Sequence, residues 1–366
     1  MPSYNVAIIG AGNISSAYLR GCRLFPILKL CSIADLDASK AQQQAEAFGI
    51  RALHPDEVLA DPDIDIVVNL TPPQAHATLS RAALEAGKHV YSEKPLAIDV
   101  AQGQALVELA EAKGLYLGCA PDTFLGGGLQ TCRKVLDEGM IGTPVAAQAF
   151  FVTSGPERWH PDPAFFYQQG AGPLFDIGPY LITSLVHFFG SVKRVTGQAK
   201  TSFSKRYVHS GAKQGTMIDV ETATHITGLL DFVNGSSASI TTSFDVPAHQ
   251  LPHIEIYGSE GTLSTPDPNT FAGPVRVRRF GDDAWQDIPL RYGYTDNSRG
   301  LGVADMAYAM YRGRPTRASG RQALHTLEVM ATILASAEQG MRLELKSHTE
   351  RPAVLPEGMP QGVLDG

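Results

Sequence analysis

Apolar and polar positions follow two rhythms along this chain, and the rhythm changes about a third of the way through. Up to residue 120, short apolar runs alternate with stretches that carry one apolar stripe at helical spacing. Tyr4–Ile9 and Leu28–Ala34 read as strands, the second running into Asp35. Between them Ile14, Ala17, Tyr18, Gly21, Cys22 and Phe25 recur at three- and four-residue intervals, and Pro26 stops that helix. Ala38–Phe48 reads as a helix closed by Gly49, and Ile64–Leu70 as a buried, β-branched strand. Ala75–Ala86 is a helix closed by Gly87, followed by a short strand at His89–Tyr91. Val100–Lys113 is a helix with Asp99 as its N-cap, and Leu115–Cys119 the next strand. Strands and helices alternating at this spacing predict a parallel sheet covered on both faces, ending near Ala120.

Beyond that point the strands lengthen and alternate. Val145–Val152 is one; Thr222–Val233 and Ser236–Phe244 flank Asn234-Gly235, a hairpin signal. His253–Tyr257 and Gly261–Ser264 make a second hairpin, and Val275–Phe280 follows. Helical spacing returns at Gly128–Glu138, Leu174–Phe189, Gly302–Arg312 and Gln322–Gln339. The expected fold class is therefore α/β over residues 1–120, then an α+β domain over 121–366 with a large open, mostly antiparallel sheet. One face of that sheet carries helices and the site. The other needs cover, which points to a homo-oligomer built sheet to sheet. The Pro- and Gly-rich tail after Arg351 reads as an extended arm.

Composition narrows the partners. At 366 residues two cores are expected, and 43% hydrophobic with 18% charged residues is the balance of a soluble globular protein. The formal net charge is −7 with no basic stripe, which argues against nucleic acid. No apolar run approaches the ~20 residues that span a bilayer, and a strand starts almost at the first residue, without a signal-peptide pattern. Cys22, Cys31, Cys119 and Cys132 show no CxxC spacing, and His209, His225, His249, His253 and His325 no metal-ligand spacing. Reduced thiols, no metal and a cytoplasmic location are the expectation.

The chemistry is carried by two short motifs. Gly10-Ala11-Gly12-Asn13-Ile14-Ser15 closes the first strand and opens the first helix. Gly10 permits the tight turn, Gly12 lets the backbone approach a pyrophosphate, and the helix start near Asn13 and Ile14 offers free N–H groups. Asp35 ends the second strand, where a carboxylate bonds ribose hydroxyls; no arginine follows it, which favours NAD over NADP. Thr71-Pro72-Pro73 cannot continue a ladder and leaves the sheet at the ligand-binding edge; Thr71, Pro72 and His76 are candidates for the nicotinamide side, with helix capping or packing the alternative for His76. Glu93-Lys94-Pro95 lies past the strand at Val90, again at that edge. A lysine there can bond both the nicotinamide ribose and a substrate hydroxyl, and burial beside an oxidised nicotinamide would lower its pKa and make it a base. A surface lysine paired with Glu93 is the alternative. The layout is that of a hydride-transfer enzyme.

With Thr71-Pro72-Pro73-Gln74-Ala75-His76 and Ala86-Gly87-Lys88-His89-Val90, these motifs resemble the glucose–fructose oxidoreductase / inositol dehydrogenase / MocA family. Glu138-Gly139-Met140-Ile141-Gly142 and the stretch from Gly170 to Gly190 extend the resemblance over nearly the whole chain. It implies a Rossmann domain followed by an open-faced α/β domain, NAD or NADP, sugar or polyol substrates, and homodimers or homotetramers joined through the large sheet. The family's substrate-site helix commonly reads Asp-x-Gly-x-His. Here it is Asp176-Ile177-Gly178-Pro179-Tyr180, so a tyrosine stands where the proton-accepting histidine is expected, and Thr183 holds a second polar position. Asp176, Tyr180 and Thr183 share one helix face. With an unperturbed pKa of about 10, Tyr180 needs a neighbouring cation such as Lys94 to accept a proton near neutrality; otherwise it only bonds substrate and Lys94 is the base. Asp122 and Thr123, after the last strand of the first domain, and Trp159 and His160, in a loop, are further substrate candidates. The expected activity is oxidation of a secondary hydroxyl of a sugar, glycoside or cyclitol, with Lys94, Asp176 and Tyr180 as catalytic residues. The alternatives are an NAD-dependent glycosidase acting by transient C3 oxidation and elimination, and a non-catalytic cofactor-sensing protein.

Overall fold

The computed structural model describes residues 2–365. In the first part of the chain β1 (Tyr4–Ile9), α1 (Ser15–Cys22), β2 (Leu28–Ala34), α2 (Ala38–Phe48), β3 (Arg51–Leu53), α3 (Pro55–Ala60), β4 (Ile66–Asn69), α4 (Pro73–Glu85), β5 (His89–Ser92), α5 (Val100–Ala112) and β6 (Leu117–Cys119) follow one another. The six strands are parallel in the order β3-β2-β1-β4-β5-β6. This is the doubly wound Rossmann order, whose direction of winding reverses between β1 and β4 and opens a crevice at the strands' C-terminal ends. Val6, Ala7, Ile8, Ile66, Val67 and Val68 are fully buried, as expected for strands covered on both faces. The expected caps are in place, Asp99 accepting from Gln102 N and Gly49 turning left-handed after α2, and Asp37 adds an N-cap to α2 by accepting from Ser39 N. Sequence periodicity does not reveal β3 and α3, which are too short for it; α3 starts on a capping box in which Glu57 accepts from His54 N at 2.6 Å.

The remainder comprises α6 (Gly127–Asp137), β7 (Pro144–Val152), α7 (Pro173–Phe189), β8 (Val192–Lys200), β9 (Lys205–Tyr207), β10 (Met217–Asp219), β11 (His225–Phe232), β12 (Ser237–Ser243), β13 (Ile254–Gly258), β14 (Gly261–Ser264), β15 (Val275–Arg279), β16 (Gln286–Ile288), α8 (Leu301–Arg312), α9 (Gly320–Gln339) and β17 (Leu343–Glu344). Nine strands form one sheet in the order β16-β15-β14-β13-β7-β12-β11-β8-β17. It is antiparallel except for the β12–β7 pair. β9 and β10 pair separately. Helices α7 and α9 cover one face, burying Ala147, Ala149, Ile226, Leu230, Ala238 and Ile240. The opposite face presents Gln148, Thr196, Leu229 and Ser239 in one cross-strand row.

Chain order does not keep the two sheets apart. Helices α8 and α9 return to the first sheet, where Cys119 N donates to Ala318 O at 3.1 Å and Gly118 bridges Ser319. The tail differs from the expected arm. It straps both parts together: Arg133 donates to Pro352 O, Arg317 to the carbonyls of Ala353 and Val354, and Tyr308 to Gly362 O. Its own Leu355 and Leu364 are buried against the rest of the chain. Chain polarity alone does not tell solvent from a partner surface, and here the partner surface is the chain's own. Among the described residues no helix is long and apolar enough to cross a membrane, and no group of His, Cys, Asp and Glu could hold a metal ion.

Candidate active site

The crevice between β1 and β4 is lined first by backbone. Gly10 has φ +111°, and a Cβ on it would lie 2.5 Å from Leu70 O, so both conformation and space demand glycine. At Gly12 the reason is different. A Cβ there meets no protein atom within 4 Å, so packing leaves the space in front of the loop open. Gly12 and Asn13 are exposed, and Ile14, at the N-cap of α1, offers no side-chain cap. Ser15 N turns back onto Gly12 O at 3.0 Å, while the amides of Asn13 and Ile14 have no acceptor among the described residues and are left at the head of the helix for a pyrophosphate. Asp35 sits beside it, its carboxylate accepting from Ala11 N at 2.7 Å and Asp37 N at 2.9 Å, with lone pairs left for a diol. The next residue, Leu36, is 83% exposed, an apolar surface where a base can lie. These residues fit a dinucleotide. Gly12→Val is expected to leave stability within about 0.5 kcal/mol while abolishing NADH binding. Gly10→Ala is expected to cost more than about 2 kcal/mol. Urea unfolding and fluorescence titration of the two variants separate these outcomes.

The loop after β4 is fixed by a residue whose part only the folded chain discloses. Asn69, fully buried, donates to His76 O and Ser80 Oγ, both at 3.0 Å, and accepts from Thr71 Oγ1 at 2.7 Å. A polar residue inside the apolar run Ile64–Leu70 was its signal. Pro72 caps α4 and is exposed. His76 does not open onto the crevice: its ring nitrogens lie 2.7 Å from Pro95 O and 2.7 Å from Thr71 O. Burial lowers its pKa against the pull of the two carbonyls. The ring therefore ties the β4 loop to the β5 loop, which is the packing alternative rather than a nicotinamide contact.

Lys94 and α7 meet across the two sheets. The Lys94–Pro95 peptide is cis. Lys94 Nζ donates to Asp176 O at 2.6 Å and Asp176 Oδ1 at 3.2 Å, and stands 5.2 Å from the centre of the Tyr180 ring. Pro179 is inside the helix, not in its first turn, and withdraws the amide that would bond Phe175 O. The turn it loosens is the one whose Asp176 carbonyl receives Lys94. Glu93 points elsewhere: Oε1 accepts from Tyr18 OH at 2.7 Å, and Oε2 from Lys94 N at 3.0 Å. The expected depression of the Lys94 pKa is not what the surroundings produce. Burial pulls it down, but Asp176, Tyr180 and Glu93 outweigh burial, and the net shift is upward. Tyr180 likewise stays above the ordinary tyrosine value, because burial and Glu93 exceed the help of the Lys94 ammonium and the Arg299 guanidinium near it. The resting pair is an ammonium and a neutral phenol.

Of the five substrate candidates, Asp122, Thr123 and Thr183 are enclosed by the fold, whereas Trp159 and His160 lie together on a partly exposed loop. Asp122 is buried and caps α8: its Oδ2 accepts from Gly300 N at 2.9 Å and Gly302 N at 3.0 Å, and burial pushes its carboxyl up to about 6. Thr123 is buried with it. Thr183 is buried too, its hydroxyl 3.4 Å from that of Thr326 on α9, beside a gap of about 10 Å³ under Lys94 that is too small for a sugar. Trp159 is 68% exposed, on a loop pinned by Glu157, which accepts from Tyr167 and from Arg206 at 2.8 Å. His160 spends Nδ1 on Asp162 N at 3.1 Å and stacks edge-on against Trp159 and Phe166. The geometry thus brings together Lys94, Asp176 and Tyr180, beside a glycine loop open to a dinucleotide.

Known protein families match the chain over most of its length. Residues 4–120 match the model of an oxidoreductase family with an NAD-binding Rossmann fold, and residues 129–264 that of the GFO/IDH/MocA C-terminal domain. The chain is 26% identical to a D-apiose dehydrogenase of Paraburkholderia graminis, over 95% of this chain and 92% of that one. It is 25% identical to a scyllo-inositol 2-dehydrogenase (NADP(+)) of Bacillus subtilis, over 81% and 78%. In fold it is similar to a levoglucosan dehydrogenase solved with NADH, with a TM-score of 0.80 at 21% identity, covering 94% of this chain and all (100%) of that one.

Proposed function

The chain belongs to the GFO/IDH/MocA oxidoreductase family, and from that premise we propose that it is an NAD-dependent dehydrogenase of a secondary hydroxyl on a sugar, glycoside or cyclitol. The observation that carries this reading is the Lys94–Asp176 pair, held 2.6–3.2 Å apart across the two sheets at the edge where the open glycine loop lies. A nicotinamide bound there supplies the hydride acceptor. Lys94 holds the substrate oxygen by a charged hydrogen bond and stabilises the alkoxide as it develops. As the hydroxyl proton moves to Nζ, a proton of Nζ passes to Asp176 Oδ1, 3.2 Å away and open to solvent. Tyr180, a neutral phenol, donates a second hydrogen bond, so Lys94 rather than Tyr180 is the acceptor. Trp159 offers its exposed face to the sugar ring, and Asp35 opposes a 2′-phosphate on the cofactor. The reading includes a dinucleotide domain ending at residue 120, a substrate and oligomer domain from 121 onward, a cytoplasmic location, and a homodimer or homotetramer joined through the open sheet face.

The test is a panel of sugars, glycosides and inositols with NAD or NADP, followed at the reduced-nicotinamide absorbance band at mildly alkaline pH. NADH should accumulate with at least one polyol, with kcat/KM for NAD at least about tenfold above that for NADP. Asp35→Ala should narrow that ratio. Consumption of a glycoside without net NADH would instead indicate the oxidation–elimination glycosidase. Cofactor binding without turnover of any compound would indicate a sensor.

A further inference from the structure

We propose that Tyr18 is a positioning residue that couples the phosphate-facing helix α1 to Lys94 through the carboxylate of Glu93. Tyr18 reads in the sequence as one more apolar residue of the helix stripe, and its ring is indeed fully buried, tilted against Tyr91 at 6.4 Å. Its hydroxyl is the unexpected part. It crosses to the β5 loop and donates to Glu93 Oε1 at 2.7 Å, joining residues 75 apart in sequence. The other oxygen of the same carboxylate receives Lys94 N at 3.0 Å. The chain Tyr18 OH–Glu93–Lys94 N therefore runs from the first turns of α1 to the backbone of the lysine. One helical turn before Tyr18 stands Ile14, whose carbonyl accepts Tyr18 N at 3.3 Å, and Ile14 is the N-cap beside the open Gly12 space.

A hydroxyl donated to a half-buried carboxylate is a charge-assisted hydrogen bond, and losing it deprives that oxygen of the donor that fixes its position. Two elements that make no ladder with each other, α1 and the end of β5, are in this way held at one fixed separation. Whatever seats on the amides of α1 is then in register with the ammonium of Lys94. Glu93 need not touch the cofactor for this. Tyr91, next to Tyr18, has a buried hydroxyl with no partner among the described residues, so it makes no bond to Glu93.

The inference rests on the proposed dehydrogenase for its effect on turnover, but not for its primary test. In cofactor-free protein the reactivity of Lys94 toward acetic anhydride is measured by competitive labelling and mass spectrometry. Tyr18→Phe and Glu93→Gln are each expected to raise the labelling rate at least about threefold, and the double variant no further. In turnover, Tyr18→Phe is expected to lower kcat about tenfold. The primary deuterium isotope effect on kcat should rise and NADH affinity change less than about threefold. Should Tyr18→Phe fail to fold, the double variant, which removes donor and charged acceptor together, is compared with Glu93→Gln alone. Unchanged labelling in Tyr18→Phe, or losses in the double variant that add, overturn the proposal. If wild-type protein oxidises no polyol, the dehydrogenase reading fails while the labelling result still decides the coupling.

Discussion

Lys94→Met is expected to lower kcat by about 10³-fold while leaving the dissociation constant for NADH within about threefold. The methionine keeps the length and apolar stem of the lysine and removes the charge. Two things go with it: the hydrogen bond to the substrate oxygen, and the route by which a proton reaches Asp176 Oδ1. The proposed cofactor cradle consists of Gly12, Ile14 and Asp35, none of which bonds the Lys94 side chain, so binding should survive. Asp176→Asn should fall between the two, because the carbonyl of residue 176 still receives Nζ. Steady-state rates and fluorescence titration on the same preparations check this. A Lys94→Met enzyme within tenfold of wild type would falsify the assignment of the lysine.

Asp305→Ala is expected to destabilise the fold by about 3–5 kcal/mol, the largest stability effect of any single change considered for this chain. Asp305 on α8 is fully buried. Its carboxylate accepts from Arg314 at 2.7 Å, Arg317 Nη1 at 2.5 Å, Arg317 N at 2.6 Å and Thr316 Oγ1 at 3.0 Å. Removing it leaves two guanidinium groups side by side, with only Asp365 of the tail, which bonds both, to balance them. Asp365→Asn should cost less, since Asp305 remains. Urea unfolding of the single and double variants measures both effects, and the pair should be strongly non-additive because the two carboxylates share the same arginines. A loss below about 1 kcal/mol for Asp305→Ala would mean that the two arginines find other partners.

The parts of this molecule that a local rule demands are legible without coordinates. Gly10 must turn with positive φ, and Asp99 must satisfy the amides that open α5. Asn234-Gly235 must reverse a chain between two alternating runs, and the observed hairpin joins β11 and β12 there. Each is a backbone requirement met by a neighbour a few residues away, so the signal survives in one dimension. The same holds for the strand edge: Asp35, Thr71 and Lys94 each follow an apolar run, and the parallel sheet brings the ends of such runs to one edge.

Residues whose partners lie far along the chain do not disclose those partners in the sequence. Asp122 resembled a substrate ligand because it follows the last parallel strand, yet the amides it satisfies are 178 and 180 residues away. Thr183 shares a helix face with Asp176 as expected, but α9 packs over it and closes that part of the face. His76 was left between two roles, and Pro95 O decided it. The pKa of Lys94 went the other way because Asp176, 82 residues on, is within hydrogen-bonding distance.

The sequence by itself determined most of the longer strands, the glycine loop, the acid after β2 and the lysine after β5, and with them the parallel first sheet and the resemblance to the oxidoreductase family. Periodicity, turn chemistry and capping act over a few residues and are written directly in the order of the chain. Only the tertiary structure decided which polar groups face each other: Lys94 with Asp176, the Tyr18 hydroxyl with Glu93, Asp305 with two arginines and the tail. Electrostatics and desolvation act through space, and two residues become neighbours only when the whole chain has closed around them.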